Sequence, residues 1–162
     1  TSNHLAAELF KARTGVDFTR IPYKGGGPAI NDLIGGQVQL MFASAPSIIQ
    51  HVQTGRVRAL AVTSTRPSAL APGLPTVAEM GVPGYESVAI FGVLAPAHTP
   101  PAIVTRLNRE IVAVLNQPET KDRLFKSGSE VVGSTPEAFG AAIRKEVATL
   151  GKLIKDANIQ TE

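Results

Sequence analysis

The amino-acid sequence predicts an α/β fold in which helices cover a mixed, mostly parallel β-sheet. Segments with helical periodicity alternate with short apolar segments that are typical of buried strands, and the connections between them are short. With 162 residues, 43% of them hydrophobic, and a mean hydropathy of +0.09, the chain can bury a core. In folds of this class, ligands bind in the crevice at the carboxyl ends of the strands.

The first half of the chain alternates helix and strand. Ser2 or Asn3 is expected to cap the first helix and Gly15 to end it, while Pro28 suits the first position of the second helix. The helices are predicted at about residues 4–14, 29–34 and 46–54, and the strands at 16–21, 38–43 and 57–62. Because each strand follows a helix, the order favours parallel pairing of the strands.

A proline- and glycine-rich connection over residues 63–86 follows, interrupted by one helical turn near 77–80. A long apolar strand is then predicted at 87–95. Within it, Phe91 is expected in the core, or lining a cleft because Gly92 beside it lets another group approach.

Helices dominate the rest of the chain. They are predicted at 101–116, at 119–126 and from Thr135 onwards, with one short strand at 130–133. This change of architecture predicts a boundary near residues 91–96, and hence two domains, 1–90 and 91–162.

Composition excludes several classes of function. The 16 basic and 13 acidic residues are spread along the chain, so the net charge of +3 forms no stripe for nucleic acid. The chain has no cysteine and its three histidines lack an i, i+4 partner, so neither a metal nor another cofactor is expected. Acidic residues are dispersed, and no nucleophile motif indicates an enzyme.

The strongest candidate site is the glycine loop, Tyr23-Lys24-Gly25-Gly26-Gly27-Pro28. Glycines at 25, 26 and 27 can adopt positive φ and direct their N–H groups towards an anion at a helix start. The loop differs from a nucleoside-triphosphate loop because its lysine precedes the glycines. It differs from a dinucleotide loop because Ile30 stands where a small residue is required.

Two further helix starts extend this candidate site. Thr1, Ser2 and Asn3 offer hydroxyl and N–H groups that either bind a carboxylate or simply cap the first helix. Ser44 follows the apolar strand that ends at Ala43, and again opens a helix. We therefore expect three helix N-termini to converge on one anion-binding crevice.

The motifs together resemble those of the substrate-binding proteins of tripartite tricarboxylate transporters, also called the Bug receptor family. The resemblance spans essentially the whole chain. It is carried by Thr1-Ser2-Asn3-His4-Leu5-Ala6-Ala7-Glu8-Leu9-Phe10, Pro22-Tyr23-Lys24-Gly25-Gly26-Gly27-Pro28-Ala29, Asp32-Leu33-Ile34-Gly35-Gly36-Gln37-Val38, Leu74-Pro75-Thr76-Val77-Ala78-Glu79-Met80-Gly81 and Pro83-Gly84-Tyr85-Glu86.

The resemblance implies a type II periplasmic-binding-protein-like fold. Such a two-lobed receptor closes over a small carboxylate and passes it to membrane transporter subunits, with no covalent chemistry and no cofactor. Residues 1–90 would form the second lobe, and 91–162 the crossover strand and the helices that cover the first lobe. The ligand contacts it implies fall on Thr1, Ser2, Asn3, Gly25, Gly26, Gly27, Ala43 and Ser44.

Two departures from the family pattern matter. Phe91 stands where many members carry a tryptophan, and members are about twice as long, with a signal peptide and most of the first lobe before the segment that begins here. The chain is therefore interpreted as a C-terminal fragment. Apolar stripes that the first lobe would cover are expected to drive homodimerisation, and they contain Ile103, Leu107, Phe139 and Ile143.

Two alternatives to a receptor remain open from the residues. One is an enzyme on an anion-binding α/β scaffold that acts on a phosphorylated or carboxylated metabolite through His4 or Lys24. The other is a structural or assembly fragment whose exposed faces bind a partner chain.

Overall fold

The computed structural model describes residues 2–156, and this part of the chain contains six α-helices. They are α1 (Ser2–Thr14), α2 (Gly26–Ile34), α3 (Ala45–Gln53), α4 (Pro101–Leu115), α5 (Pro118–Lys126) and α6 (Pro136–Asp156). Helix α2 packs against α3, and α4 packs against both α5 and α6. Over the described residues, no helix combines the length and the apolar character that a bilayer crossing requires.

The predicted helix ends are confirmed, because glycines stop the helices as expected. At the end of α2, the Gly36 N–H donates to Leu33 O (3.2 Å) and the Gln37 N–H donates to Asp32 O (2.8 Å). This pair of bonds satisfies the last carbonyls of the helix and requires a left-handed residue, which Gly36 provides with φ 73°. The same arrangement at Gly55 ends α3.

Two helices begin two or more residues earlier than predicted. Helix α1 already includes Ser2 and Asn3, so these residues lie in its first turn rather than capping a helix that starts at His4. Helix α2 begins at Gly26, which makes Pro28 its third residue instead of its first. Proline is tolerated there because the N–H groups of a first turn have no partner within the helix.

Regular strand pairing is sparse within the described residues. Among residues 2–156, one isolated parallel bridge joins Val62 and Thr76, and no longer ladder forms. The Val62 N–H donates to Pro75 O (2.9 Å), and Val62 O accepts from the Val77 N–H (2.9 Å). The other segments predicted as strands lie outside the helices, at 16–21, 38–43, 87–95 and 130–133. A short apolar segment predicts a buried strand, but it does not specify a pairing partner.

The chain divides into two compact units. The first ends at Ala89 and contains α1 to α3, and the second begins at Ile90 and contains α4 to α6. The assignment of residues 1–90 to a second lobe and of 91–162 to a crossover segment stays a prediction.

The core of the first unit is built around Tyr85, whose side chain is 1% exposed. Its hydroxyl donates a 2.8 Å hydrogen bond to Ala6 O in α1, and its ring lies 6.1 Å from that of Phe10. Phe10 also contacts Phe42, at 5.7 Å between ring centroids. Burial raises the pKa of Tyr85 to about 12. Tyr85 thus ties the end of the first unit to its first helix.

The helical turn predicted near 77–80 is confirmed, and it is closed by a capping box. The Thr76 N–H donates to Glu79 Oε2 (2.8 Å), and the Glu79 N–H donates to Thr76 Oγ1 (3.1 Å). Thr76 is only 1% exposed, so the reciprocal bonds also satisfy polar groups that water does not reach.

In the second unit, the start of α6 follows the prediction. Thr135 Oγ1 accepts a hydrogen bond from the Ala138 N–H at 3.2 Å, so the threonine caps the helix before Pro136. Asn108 of α4 donates to Ser134 O at 2.9 Å and thereby fastens this connection to α4.

Phe91 is 79% exposed, so the expectation that it lies in the core is wrong. At the neighbouring Gly92, a Cβ atom would lie 2.2 Å from Cζ of Phe139, which means that the Phe139 ring covers the backbone there. The Phe139 ring thus packs beside Gly92, while Phe91 remains in water.

Candidate functional site

The glycine loop forms the start of α2. Gly25 is the N-cap residue with φ 133°, a conformation that favours glycine, whereas Gly26 and Gly27 are the first two residues of the helix. The expectation of positive φ at all three glycines therefore holds only for Gly25. A Cβ atom built on any of the three would meet no atom within 4 Å, so the space beside the loop is open.

The start of α2 is a favourable place for an anion. No side chain caps it among the described residues, so the N–H groups of Gly26 and Gly27 point out of the helix without a capping partner. These groups carry the partial positive charge of the helix N-terminus. Lys24 is exposed beside them and forms no ion pair within the described part of the chain.

Tyr23 anchors the loop from the other side. Its hydroxyl donates a 2.6 Å hydrogen bond to Asp32 Oδ2 in α2, and this bond raises the pKa of Tyr23. The bond holds the chain before the loop against the helix after it. Sequence reasoning missed this pair, because a spacing of nine residues corresponds to no local hydrogen-bonding pattern, although both residues belong to the quoted motifs.

The start of α1 holds two of the predicted ligand-binding residues. Ser2 is exposed and Asn3 is half-buried in the first turn, where the helix leaves N–H groups unpaired. Thr1, which was predicted with them, lies outside the described residues.

A contact between His4 and Arg20 joins this helix start to the segment that leads into the glycine loop. Arg20 Nη1 lies 2.9 Å from Nδ1 and 3.1 Å from Nε2 of His4. Gly25 follows Arg20 by five residues, which span at most about 18 Å. On its other side, His4 Nε2 lies 3.5 Å from Glu8 Oε1. Burial lowers the pKa of His4, and the Arg20 guanidinium lowers it further.

The start of α3 contains the remaining predicted residues. Ala43 and Ser44 are half-buried, and Ser44 is the extended N-cap residue of the helix, with ψ 139°. Its hydroxyl lies 3.1 Å from Ser47 Oγ, and Ser47 Oγ donates to Ser44 O at 2.8 Å. No side chain caps the N–H groups of α3 among the residues described. Helix α2 packs on α3, so the two helices whose starts are uncapped are neighbours in the fold. The convergence of all three helix starts on one crevice stays a prediction.

Comparison with known proteins identifies the family. The model of the tripartite tricarboxylate transporter family receptors, TctC, matches residues 1–159. A Pseudomonas knackmussii protein named for the clcB-clcD intergenic region is 38% identical over 162 residues, which cover 99% of this chain and 96% of that relative. BugT of Bordetella pertussis is 36% identical over 153 residues, covering 94% of this chain and 47% of BugT.

Solved structures show the same fold. R. palustris Rpa4515 with adipate has a TM-score of 0.87 and 39% identity, covering 98% of this chain and 53% of that one. The periplasmic binding protein BugD has a TM-score of 0.81 and 36% identity, covering 99% and 54%. MatC from Rhodopseudomonas palustris with bound malate has a TM-score of 0.74 and 26% identity, covering 94% and 53%.

These matches confirm the predicted fold class, that of the periplasmic binding proteins of this family. The chain spans about half the length of BugT and of the solved structures. The family and its solved members are solute-binding proteins, which confirms the prediction that the chain is not an enzyme and removes the catalytic alternative through His4 or Lys24. The chain belongs to the receptor family of tripartite tricarboxylate transporters, as its motifs indicated.

Proposed function

We propose that the chain is the ligand-binding part of a periplasmic receptor that binds a small carboxylate and passes it to the membrane subunits of a tripartite tricarboxylate-type transporter. Family membership supports the receptor role, and relatives with adipate and malate support a dicarboxylate. The proposed ligand contacts are Thr1, Ser2, Asn3, Gly25, Gly26, Gly27, Ala43 and Ser44.

The open start of α2 is the observation that carries this proposal. Gly26 and Gly27 are helical and have free space where a Cβ would be, so alanine would fit at both positions. Alanine is favoured over glycine in a helix by up to about 1 kcal/mol per residue. Glycine at these two positions therefore lowers the stability of α2, and it leaves the N–H groups of the first turn accessible to a ligand.

The test separates stability from binding by comparing two glycines. We expect Gly27→Ala to preserve or raise the free energy of unfolding while weakening carboxylate binding. Gly151→Ala in α6 is the matched control, because a Cβ there also meets no atom within 4 Å and the residue lies far from α2 in sequence. It should raise stability and leave binding unchanged.

Binding is measured by titrating the chain with adipate, malate, citrate, amino acids and aromatic acids. Backbone amide shifts in ¹⁵N NMR spectra detect even millimolar affinity, and the amides of Gly26 and Gly27 should shift most. Shifts at those amides that saturate with one acid support the proposal. If no acid moves them, or if Gly27→Ala and Gly151→Ala bind alike, the proposed site is wrong.

Self-association of the isolated chain is also proposed, as the sequence predicts. In α4, Ile103 is 50% and Leu107 47% exposed, whereas Phe139 and Ile143 of α6 are half-buried. The uncovered face of α4 is thus the larger part of the expected dimer surface. Light scattering should give the mass of a dimer at micromolar concentration, and a monomer throughout would contradict this part of the proposal.

A further inference from the structure

The glycine loop is held at its downstream end by burial. Ala29 and Ile30 of α2, which follow the loop, are only 9% and 5% exposed. The three glycines have no side chains to pack, and Lys24 before them is exposed. Glycine loses more conformational freedom on folding than any other residue, so a loop of three glycines keeps a defined shape only if its upstream end is held as well.

The hydroxyl of Tyr23 holds the upstream end. It donates to Asp32 Oδ2 at 2.6 Å, the distance of a charge-assisted hydrogen bond from a hydroxyl to a carboxylate. Residues 21–24 form no other hydrogen bond with the described part of the chain. A phenol has a single proton to donate, so Tyr23 offers none to a ligand while it is bonded to Asp32. The tyrosine is therefore suited to hold the loop and not to contact the ligand.

The position of Asp32 is not explained by the helix that contains it. Asp32 lies in the last turn of α2, where the helix dipole disfavours a carboxylate. That turn has no basic residue, and Asp32 forms no ion pair with the described residues. The backbone of Asp32 is a second anchor, because its carbonyl accepts the 2.8 Å bond from the Gln37 N–H. Asp32 thus joins the segment before α2 to the segment after it.

We infer that the bond between Tyr23 and Asp32 is a positioning contact that holds glycines 25, 26 and 27 in the geometry that binds a carboxylate. The inference rests on the proposed function, because it concerns the same loop. A loop that is in the binding geometry for only part of the time binds with an affinity reduced by that fraction. Loss of the bond should therefore weaken binding although no ligand contact is removed.

The charge of Asp32 alone predicts the opposite effect. Asp32 places a negative charge on the helix whose start is proposed to bind an anion, so removing that charge should tighten binding if electrostatics dominated. Asp32→Ala distinguishes the two explanations, because it removes the charge and the bond together. Asp32→Asn removes the charge but keeps an amide oxygen that can accept from Tyr23.

The binding test follows backbone amide shifts while each variant is titrated with adipate. We expect Tyr23→Phe and Asp32→Ala each to raise the dissociation constant at least about fivefold, and the double variant to raise it no further. Asp32→Asn should change it less than about twofold, because the bond is kept. Asp122→Ala is the matched control. It also removes a carboxylate that accepts a 2.6 Å bond, from Lys126 in α5, and it should leave binding unchanged.

The order of the loop is measured in the free chain, so this readout does not depend on a ligand. Relaxation of ¹⁵N gives the order parameters of the amides of residues 25–27. We expect them to fall from about 0.85, the value of rigid backbone, to below about 0.6 in Tyr23→Phe and Asp32→Ala. Circular dichroism checks that each variant is folded under these conditions. Tyr23→Phe removes one hydroxyl only, and it decides the test if Asp32→Ala does not fold.

The outcomes separate this inference from the proposed function. If the wild type binds adipate and Tyr23→Phe binds it equally well, the positioning role is wrong and the proposed function stands. The positioning role is also wrong if Asp32→Ala tightens binding, or if affinity falls while the loop amides stay ordered, which would make Tyr23 a ligand contact. If the wild type does not bind adipate but the variants loosen the loop, the proposed function fails for this acid and the positioning of the loop is upheld. If neither effect is seen, both are wrong.

Discussion

The two units of the chain bury their apolar residues to very different extents. Within the described residues, the buried apolar side chains of the core all lie in the first unit, and they include Tyr85, Ile30, Ala6 and Leu9. The second unit instead contains most of the large apolar side chains that remain exposed, and Phe91, Leu94 and Val132 are the extremes. Its helices α4 and α5 have no buried residue.

This difference shows that a periodic apolar pattern predicts a helix with an apolar face, but does not identify the segment that covers that face. Helices α1 and α4 both present leucines at helical spacing, but α1 is covered by Tyr85 from 79 residues away, whereas no residue of α4 is buried. The first unit is therefore expected to be stable through its own contacts. The second unit is expected to become more stable when a partner covers its apolar residues.

The largest expected effect compares one leucine in each unit. Leu9 is 7% exposed and Leu107 is 47% exposed, so Leu9→Ala should lower the free energy of unfolding by about 3 kcal/mol and Leu107→Ala by less than about 1 kcal/mol. Native-state hydrogen exchange reports each unit separately, through the amides of α1 and α4. Equal losses for the two variants would show that the contrast between the units does not hold.

High pH should weaken the first unit through Tyr85. Its pKa is about 12 in the folded chain against 10 when unfolded, so the stabilisation is fully present below pH 10 and is lost as the pH rises through 12. Two pKa units correspond to roughly 2–3 kcal/mol. Urea unfolding from pH 8 to pH 11.5 should show this loss in the wild type and not in Tyr85→Phe.

The titration itself can be observed directly. The chain has two tyrosines, and in Tyr23→Phe only Tyr85 contributes to the tyrosinate absorbance. That variant should titrate near pH 12 while folded. A midpoint near pH 10 would mean that Tyr85 is accessible to water.

A smaller effect is expected where the second unit is closely packed. Gly92→Ala places a Cβ against the Phe139 ring, which must move, and should cost about 1–3 kcal/mol. In a Phe139→Ala background the same substitution should cost less than about 0.5 kcal/mol, because the obstructing ring is absent. Thermal unfolding of the four proteins in this cycle measures the coupling, and equal costs in both backgrounds would disprove the contact.

The smallest effect concerns the start of α6. Thr135→Ala removes the hydroxyl that caps the helix and should cost about 1 kcal/mol. Thr99 precedes α4 at a similar position but is not its N-cap residue, so Thr99→Ala should cost less than half as much. Comparable losses measured by urea unfolding would argue against the cap.

Sequence patterns predicted the helices well because their signals are local. Pro101 and Pro136 mark helix starts, and Gly36 and Gly55 end helices through bonds that span a few residues. The start of α2 was placed three residues late because two glycines are poor helix formers. Here the following residues, from Ala29 onwards, hold the glycines in the helix by packing into the core.

Non-local features were predicted less well. The sheet was predicted from short apolar segments, which do not identify the strand with which each one pairs. Within the described residues, one parallel bridge joins Val62 and Thr76. At the candidate site, the residue types alone identified the glycine loop. They did not predict the side-chain hydrogen bonds that position it. Tyr23 with Asp32, and Arg20 with His4, are brought together by the fold rather than by their spacing.

The hydrogen bond between Tyr85 and Ala6 also constrains the order of folding. Closing a loop of 79 residues costs about 4 kcal/mol of chain entropy, so this contact is expected to form late. During synthesis on a ribosome, α1 emerges before Tyr85 and cannot gain its covering aromatic ring until Tyr85 has left the exit tunnel. For the time needed to translate those residues, the apolar face of α1 is open to chaperones and to other nascent chains.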